Sequence, residues 1–399
     1  MEEFKKLNLR QKIISFIVMF LITVTTIAVF MSMTSAKRVD SDEIELDDGW
    51  SVTINGKEYD NVTLSKFRFK MCNRGDVLTL KHIVPRYDII SLPTLEVYTT
   101  HSAIKVYLDD EVIYTYGQRL YDENKLLGYG EHFVSMPYGA NSKWLTVEMT
   151  VSEDNVFNGV KAMKLLDGNS AMVKDLSGKR VNLSIAMFLI VFGVIIMVLS
   201  MLMLRRAVNF VQTFCIALFS FLIGCWTLCN NDLIEYFTTD LLMKSYLEYY
   251  SLYILPLPLT YYFRDKIDVR SNPKWLKVYF WGIIAAEIVY IASAVILQEA
   301  NLVHLPQILV GSHILMILTI VLILMISVID IKVRKQRPTI VMIGFLIAIA
   351  IVIVELIRFN IEKYITGFTK NVYSSDTCFA VLIIVISMLL DYGNKTSKS

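Results

Sequence analysis

A largely α-helical membrane protein carrying an extracellular all-β domain is the fold class this sequence predicts, and three observations predict it. First, the 399 residues are 55% hydrophobic and only 19% charged, with mean hydropathy +0.51, whereas about a quarter of a soluble domain is charged. Second, eight apolar runs are long enough to cross a ~30 Å hydrocarbon core, which takes roughly 18 residues or more of helix. Third, one long insert between the first two runs has the short alternating segments of β structure. The composition excludes a disordered chain, a collagenous one and a small disulfide-stapled domain. The net charge of +2, from 39 Lys and Arg against 37 Asp and Glu, gives no reason to invoke nucleic acid.

The first run, Ile13 to Met33, is longer than the apolar region of a signal peptide and is expected to be a transmembrane anchor. Thr34-Ser35-Ala36 keeps cleavage open as an alternative. Seven further runs follow the insert: Val181 to Leu204, Val208 to Cys229, Leu241 to Phe263, Val278 to Leu297, Ile308 to Ile329, Ile340 to Ile357 and Val372 to Leu390. The run from Leu241 holds Lys244, Glu248, Pro256 and Pro258, and proline inside a helix kinks it. That kink is expected to be either a hinge or a fixed bend. Short loops set the orientation through Lys and Arg. With the N-terminus inside, the cytoplasmic segments hold 17 basic residues, including Arg264 to Lys277 around Trp275, and the short outer loops hold 3, Arg358, Lys363 and Lys370. Both termini are therefore expected in the cytoplasm of a cell whose plasma membrane the chain crosses, with residues 37–180 outside and 391–399 as a short inner tail.

The outer domain, residues 37–180, reads as a β sandwich, most simply a jelly roll. Strands are expected at Trp50 to Ile54, Asp76 to Val84, Leu95 to Thr99, Ile104 to Leu108, Val112 to Tyr116 and Trp144 to Val151. Turn signals separate them at Asn55-Gly56, Asn73 to Asp76, Asp109-Asp110 and Pro137 to Gly139. Cys72 is the one cysteine in this domain, so the sandwich must stand on packing. Cys225 and Cys229, a helical turn apart without histidine nearby, are expected to be buried hydrophobes and not a metal pair.

Candidate ligand-binding residues in this domain are His101, Tyr107, Tyr114, Tyr116, Tyr129 and His132. Aromatic faces rimmed by polar groups suit a small polar ligand or a carbohydrate. The competing reading is that these tyrosines fill the core and edges of the sandwich and that the histidines are structural. Inside the membrane a charge is costly, so ionisable groups there face a partner or a wet cavity. Glu287 lies mid-helix, and His313 on the next helix is a candidate to meet it. Glu355 and Arg358 are spaced to pair on one helix face, as are Lys244 and Glu248. Static pairing that fixes helix register and a proton or ligand pathway are both open for this group. The sequence carries no phosphate-binding loop, dinucleotide fingerprint, zinc-protease motif or nucleophile elbow, so neither a catalytic residue nor a metal or cofactor is expected.

Several stretches resemble a known layout. They are DDGWSVTINGKEYDNVTLSKFRF with RGDVLTLKHIVP, then HSAIKVYLDDEVIYTYG, EDNVFNG, GCWTLCNNDLIEYF and YLEYYSLYILPLPLTYYF. They resemble the bacterial seven-transmembrane receptors with diverse intracellular signalling modules, and among these the Firmicutes members ending in a GGDEF diguanylate cyclase domain. The resemblance implies an outer jelly roll that senses a small ligand, one option being a carbohydrate, and a bundle that relays the signal inward. No GGDEF string occurs, and Asp391 to Ser399 are too few to fold a cyclase. The expectation is a non-enzymatic sensor: either a sensor half without its output module, or a receptor acting through a separate cytoplasmic partner. Its other expected partners are the lipid bilayer and the extracellular ligand, and a homodimer stays open. The alternative is a transporter or intramembrane enzyme that uses Glu287, Glu355 and Arg358.

Overall fold

A computed structural model describes residues 43–88, 90–202, 210–267, 272–332, 339–360 and 376–398. The expected anchor, Ile13 to Met33, lies outside the described residues. The strands are β1 (Glu43–Leu46), β2 (Trp50–Ile54), β3 (Lys57–Val62), β4 (Val77–Ile83), β5 (Pro93–Thr100), β6 (Ser102–Leu108), β7 (Glu111–Tyr116), β8 (Tyr129–Ser135), β9 (Trp144–Val151) and β10 (Met163–Asp167). They form two antiparallel sheets, one of four strands in the order β1-β10-β5-β8 and one of six in the order β3-β2-β4-β9-β6-β7. A short helix, α1 (Gln118–Asp122), links β7 to β8.

Alternation builds the sandwich. In β5 Leu95, Val97 and Thr99 are buried while Glu96 and Tyr98 are only partly covered, and in β9 Leu145, Val147, Met149 and Val151 point inward. These meet Leu78, Leu80, Ile104, Val106, Val134, Met163 and Leu165 in one apolar core. Each fully buried aliphatic side chain contributes about 1.5–3 kcal/mol. Trp50 is fully buried, and its indole N–H donates to the Leu46 carbonyl at 3.0 Å, which satisfies its one polar atom. Asn55 and Gly56 both have positive φ, 48° and 83°, the geometry a tight β2–β3 hairpin demands. Cys72 is buried and free, as packing without a bridge requires.

Helices follow without a linker: β10 ends at Asp167 and α2 begins at Gly168. The series is α2 (Gly168–Leu202), α3 (Phe210–Asn230), a 3-10 turn (Leu233–Tyr236), α4 (Leu241–Ile254), α5 (Pro256–Tyr262), α6 (Arg264–Ile267), α7 (Lys274–Glu299), α8 (Leu305–Lys332), α9 (Ile340–Asn360) and α10 (Asp376–Lys398). Among the described residues, four segments are long and apolar enough to cross a membrane: Asp175–Met201, Phe210–Asn230, Lys274–Glu299 and Leu305–Lys332. Val194 and Val198 of α2, Ile288 and Val289 of α7, and Ile314 and Ile317 of α8 are exposed, which suits a hydrocarbon surround.

The expected run Leu241 to Phe263 is two helices, not one. Asp240 caps the first by accepting from the Leu242 and Met243 amides, both at 3.0 Å. Pro256 and Pro258 lack the N–H that would bond the Leu252 and Ile254 carbonyls, and the helix divides at Leu255.

Candidate functional site

Among the described residues, a cluster of buried polar groups lies where the four-stranded sheet meets the helices. Two sequence features let them approach. Gly128 and Gly130 stand opposite the start of α4; a Cβ at Gly128 would run into the Leu241 backbone carbonyl, and one at Gly130 into Glu235 and Leu241. Leu126, fully buried, packs into an apolar cluster with Tyr249, Tyr253, Ala294 and Leu305 of the helices.

The alternation that sends Leu95 and Val97 into the sandwich turns Glu96 and Tyr98 of β5 to the other face, beside Tyr129 and Glu131 of β8. Tyr98 pairs with Glu131 across the strands. The helical side supplies Lys244, Glu248 and Tyr249 of α4, with Asp232 and Glu235 from the turn before it. Lys244 is fully buried and bridges Asp232 and Glu235, the latter at 2.5 Å, and its ammonium lies 4.2 Å from the centre of the Tyr129 ring. The Tyr129 hydroxyl donates to Glu248 Oε2, and the Glu131 amide donates to Glu235 Oε2 at 3.3 Å. Lys161 sits 3.3 Å over the Tyr98 ring. Tyr236 donates to Asp175, which also pairs with Lys179 at 2.8 Å.

Burial shapes the charges. It pushes the Glu131 carboxyl up to about 8, helped by the Glu96 carboxylate, while the Lys179 ammonium opposes the shift. It raises Glu96, with Lys164 acting against it, and Glu235, with Lys244 acting against it. It holds the Tyr98 phenol well above its usual range and lowers Lys161. The seam thus combines two tyrosine faces with acids and amines whose charge depends on what they touch.

A second contact lies beside it. Glu153, following β9, is buried, pairs with His304 Nδ1 and accepts from Gln307 Nε2 at 2.7 Å. The other His304 nitrogen faces the Asn124 carbonyl at 3.1 Å, and Asn124 Nδ2 donates to the Asn301 carbonyl at 3.2 Å.

The residues singled out in the sequence separate into several places. His101 and Tyr129 lie at the seam: His101 Nδ1 donates to the Leu127 carbonyl at 2.5 Å and Nε2 faces the Tyr249 hydroxyl at 3.2 Å. Its burial lowers its pKa, so the neutral ring accepts from Tyr249. His132, Tyr114 and Tyr116 come together inside the sandwich. There His132 Nε2 meets Thr99 Oγ1 at 2.7 Å, Nδ1 meets the Tyr114 hydroxyl at 3.0 Å, and the Tyr116 ring centre is 4.9 Å away. Burial lowers His132 to about 4 and raises Tyr116 to about 12. Tyr107 is remote: Ile104, Val106 and Leu108 of β6 face the core, so Tyr107 faces outward on the six-stranded sheet, opposite Thr146.

Within the helices Glu287 is buried, but its partners are Thr260 and Thr319, at 2.9 and 3.0 Å. The expected meeting with His313 does not form, because His313 is exposed on α8 while its neighbour Ser312 is buried. Lys244 and Glu248 do not pair along the helix; each reaches a partner on another element. Glu355 and Arg358 belong to α9, and their side chains lie outside the described residues. Cys225 and Cys229 are free and buried, and no group of three His, Cys, Asp or Glu side chains among the described residues is arranged to hold a metal.

Sequence reading missed Glu96, Tyr98, Glu131, Lys161, Asp232, Glu235, Glu153 and His304 as parts of one interface. The period-2 pattern of β5 did carry the pairing of Glu96 with Tyr98 on one face, and the stretch Asn230 to Asp240 holds Asp232 and Glu235 without a single basic residue. No family model matches the chain, and no match is found among curated proteins.

Proposed function

We propose that the protein is a plasma-membrane sensor that binds a small polar ligand, a carbohydrate among the options, between its β domain and its helices, and relays occupancy to a cytoplasmic partner. One observation carries this reading: Tyr129 of the sheet meets Lys244 and Glu248 of the helical part and the Glu131 amide meets Glu235, with Tyr98 and Glu96 on the same sheet face, so a ligand there touches both halves. A ligand shifts a conformational equilibrium only by its preference for one state, and a site shared by two bodies has that preference when their separation changes. The finer architecture belongs to the same reading. The order β1-β10-β5-β8 opposite β4-β9-β6-β7, with the β2–β3 hairpin added at one edge, supports a jelly roll. The four spanning segments with α4–α5, α9 and α10 support a seven-helix bundle, and the basic inner loops support an extracellular sandwich.

The test is binding to the full chain in lipid nanodiscs across a panel of mono- and disaccharides and amino sugars. Binding is expected to weaken about tenfold in Tyr98→Ala, the scale of a lost aromatic contact, and also in Glu131→Gln. A panel without a binder, or a binder indifferent to both substitutions, overturns the ligand site.

A second reading, a transporter with an accessory outer domain, rests on Glu287, a carboxylate buried among the helices. Uptake into proteoliposomes that disappears in Glu287→Gln would favour it over the sensor.

A further inference from the structure

We propose that Glu287, Thr260 and Thr319 form an exchangeable site for one monovalent cation, in which a proton and a sodium ion compete for the same oxygens. The inference is independent of what binds at the seam.

Three helices converge here. Thr260 of α5 and Thr319 of α8 both donate to Glu287 Oε1 of α7, at 2.9 and 3.0 Å, and the two hydroxyl oxygens lie 3.0 Å apart. Three close oxygen contacts need three hydrogens, and the two hydroxyls supply only two. With the carboxyl ionised, the threonine–threonine edge sets lone pair against lone pair. The second carboxylate oxygen, Oε2, is buried and has no hydrogen-bond partner, and Glu287 as a whole is 1% exposed. A single positive charge relieves the first condition and neutralises the carboxylate, and a metal cation also gives Oε2 a partner. A proton on the carboxyl closes the triangle into a ring of donors, and a metal cation draws the lone pairs of all three oxygens and of Oε2.

The donor set selects the cation. All the ligands are oxygens, so soft or borderline metals that prefer nitrogen and sulfur are excluded. One carboxylate carries one negative charge, whereas calcium sites collect several carboxylates. A monovalent ion leaves the site neutral, which matters because net charge at membrane depth is costly.

The titratable neighbours on the packed elements leave Glu287 to the cation. Tyr262 of α5 donates to Asp391 at 3.1 Å, and Tyr290 of α7 donates to the Ile308 carbonyl at 2.8 Å. Tyr253 of α4 donates to the Leu305 carbonyl at 2.5 Å, and His313 of α8 is exposed. Among the described residues none of these bonds Glu287, nor does any Lys or Arg.

The experiment is radioactive sodium binding to the full chain in nanodiscs, measured across pH, with choline as the inert counter-cation. Saturable binding is expected. Half-saturation should need up to about tenfold more sodium for each unit of falling pH, as one proton displaces one ion. Glu287→Gln should bind no sodium above background. Should that variant fail to fold, Thr319→Val serves: it should weaken binding about tenfold by removing one oxygen ligand, while Thr319→Ser keeps it within about twofold. Absence of saturable sodium binding at every pH where the protein is folded overturns the proposal, as does sodium binding unchanged in Glu287→Gln and Thr319→Val.

Discussion

Two buried histidines mark two different interiors in this molecule. His132 and His304 are 3% and 4% exposed, yet their surroundings have little in common. His132 lies within the sandwich between a threonine and a tyrosine hydroxyl, where a neutral ring satisfies both contacts. His304 joins sandwich to helices, with a carboxylate on one nitrogen and a backbone carbonyl on the other. The sandwich interior is thus built to exclude charge. The seam gathers charged groups instead: Lys244 pairs with Asp232 and Glu235 on the helical side, and Glu153 of the sandwich meets His304 of the helices, so its cohesion depends on both bodies being present and on their protonation.

The sharpest way to break this contrast is at Lys244. Its ammonium is the shared partner of Asp232 and Glu235; Lys244 and Asp232 are buried and the Glu235 side chain is 12% exposed. Lys244→Met leaves two carboxylates without their cation, and breaking a buried ion pair on one side costs about 3–5 kcal/mol. Denaturant unfolding of the full chain in detergent micelles is expected to show that loss. A loss under ~1 kcal/mol would mean that the seam behaves like a solvated surface and that the contrast with the sandwich is overstated.

The two interiors also answer pH in opposite directions. The unfolded imidazole of His132 takes a proton near 6.5 and the folded one only near 4, so between those values the unfolded chain binds more protons. Sandwich stability is then full above about 6.5 and falls as pH drops toward 4, by about 3 kcal/mol in all. Glu131 works the other way. Its folded carboxyl keeps its proton to about 8 against an ordinary 4.5, so its contribution is full below about 4.5 and is lost as pH rises toward 8. Hydrogen exchange resolved by segment should therefore show β5 and β9 core amides losing protection in acid, and the segment 128–131 with the start of α4 losing it in base. His132→Phe should flatten the first response and Glu131→Gln the second. A common direction for both segments would sink the comparison.

A smaller effect is expected at the approach between the two bodies. Gly128→Ala places a methyl group against the Leu241 carbonyl, and overpacking of this kind costs about 1–3 kcal/mol. Limited proteolysis should detect it as faster cleavage in the segment 123–128, with the sandwich core resistant. Equal loss of protection in the core would show that sandwich and helices unfold as one unit.

Much of the sandwich was legible because its signals are local. Trp50 to Ile54 and Trp144 to Val151 coincide with β2 and β9, and Asn55-Gly56 marks the hairpin that positive φ confirms. Four strands escaped notice for physical reasons. β3 is a polar edge strand, β8 carries Gly130, Glu131 and His132 in its middle, and β1 and β10 are short. The site was less legible than the fold, since it is made by contact between residues far apart in the chain. Lys244 and Glu248 have the spacing of a helical ion pair, and nothing local indicates that each turns to a different element. Glu287 was recognisable from its position alone, because a carboxyl in an apolar run has to find partners. Its threonine partners were not, since threonine in a helix is commonplace.

Tyr107 provides the smallest and most discriminating test. By composition it belongs with Tyr114, Tyr116 and Tyr129, all strand tyrosines of one domain. The register separates them: Tyr107 alternates with the inward Val106 and Leu108 and stands on the outer face of the six-stranded sheet. Tyr129 stands on the outer face of the other sheet, under Lys244. Replacing Tyr107 with Ser removes a partly solvated ring that bonds nothing across the seam, so stability should change by no more than ~0.5 kcal/mol. Any ligand-induced rise in melting temperature should be unchanged. Tyr129→Phe removes a single oxygen yet leaves the buried Glu248 carboxylate short of a donor, which costs about 1–3 kcal/mol. If the larger truncation at Tyr107 proves the more damaging of the two, the six-stranded face is the functional one and the seam serves only to hold the two bodies together.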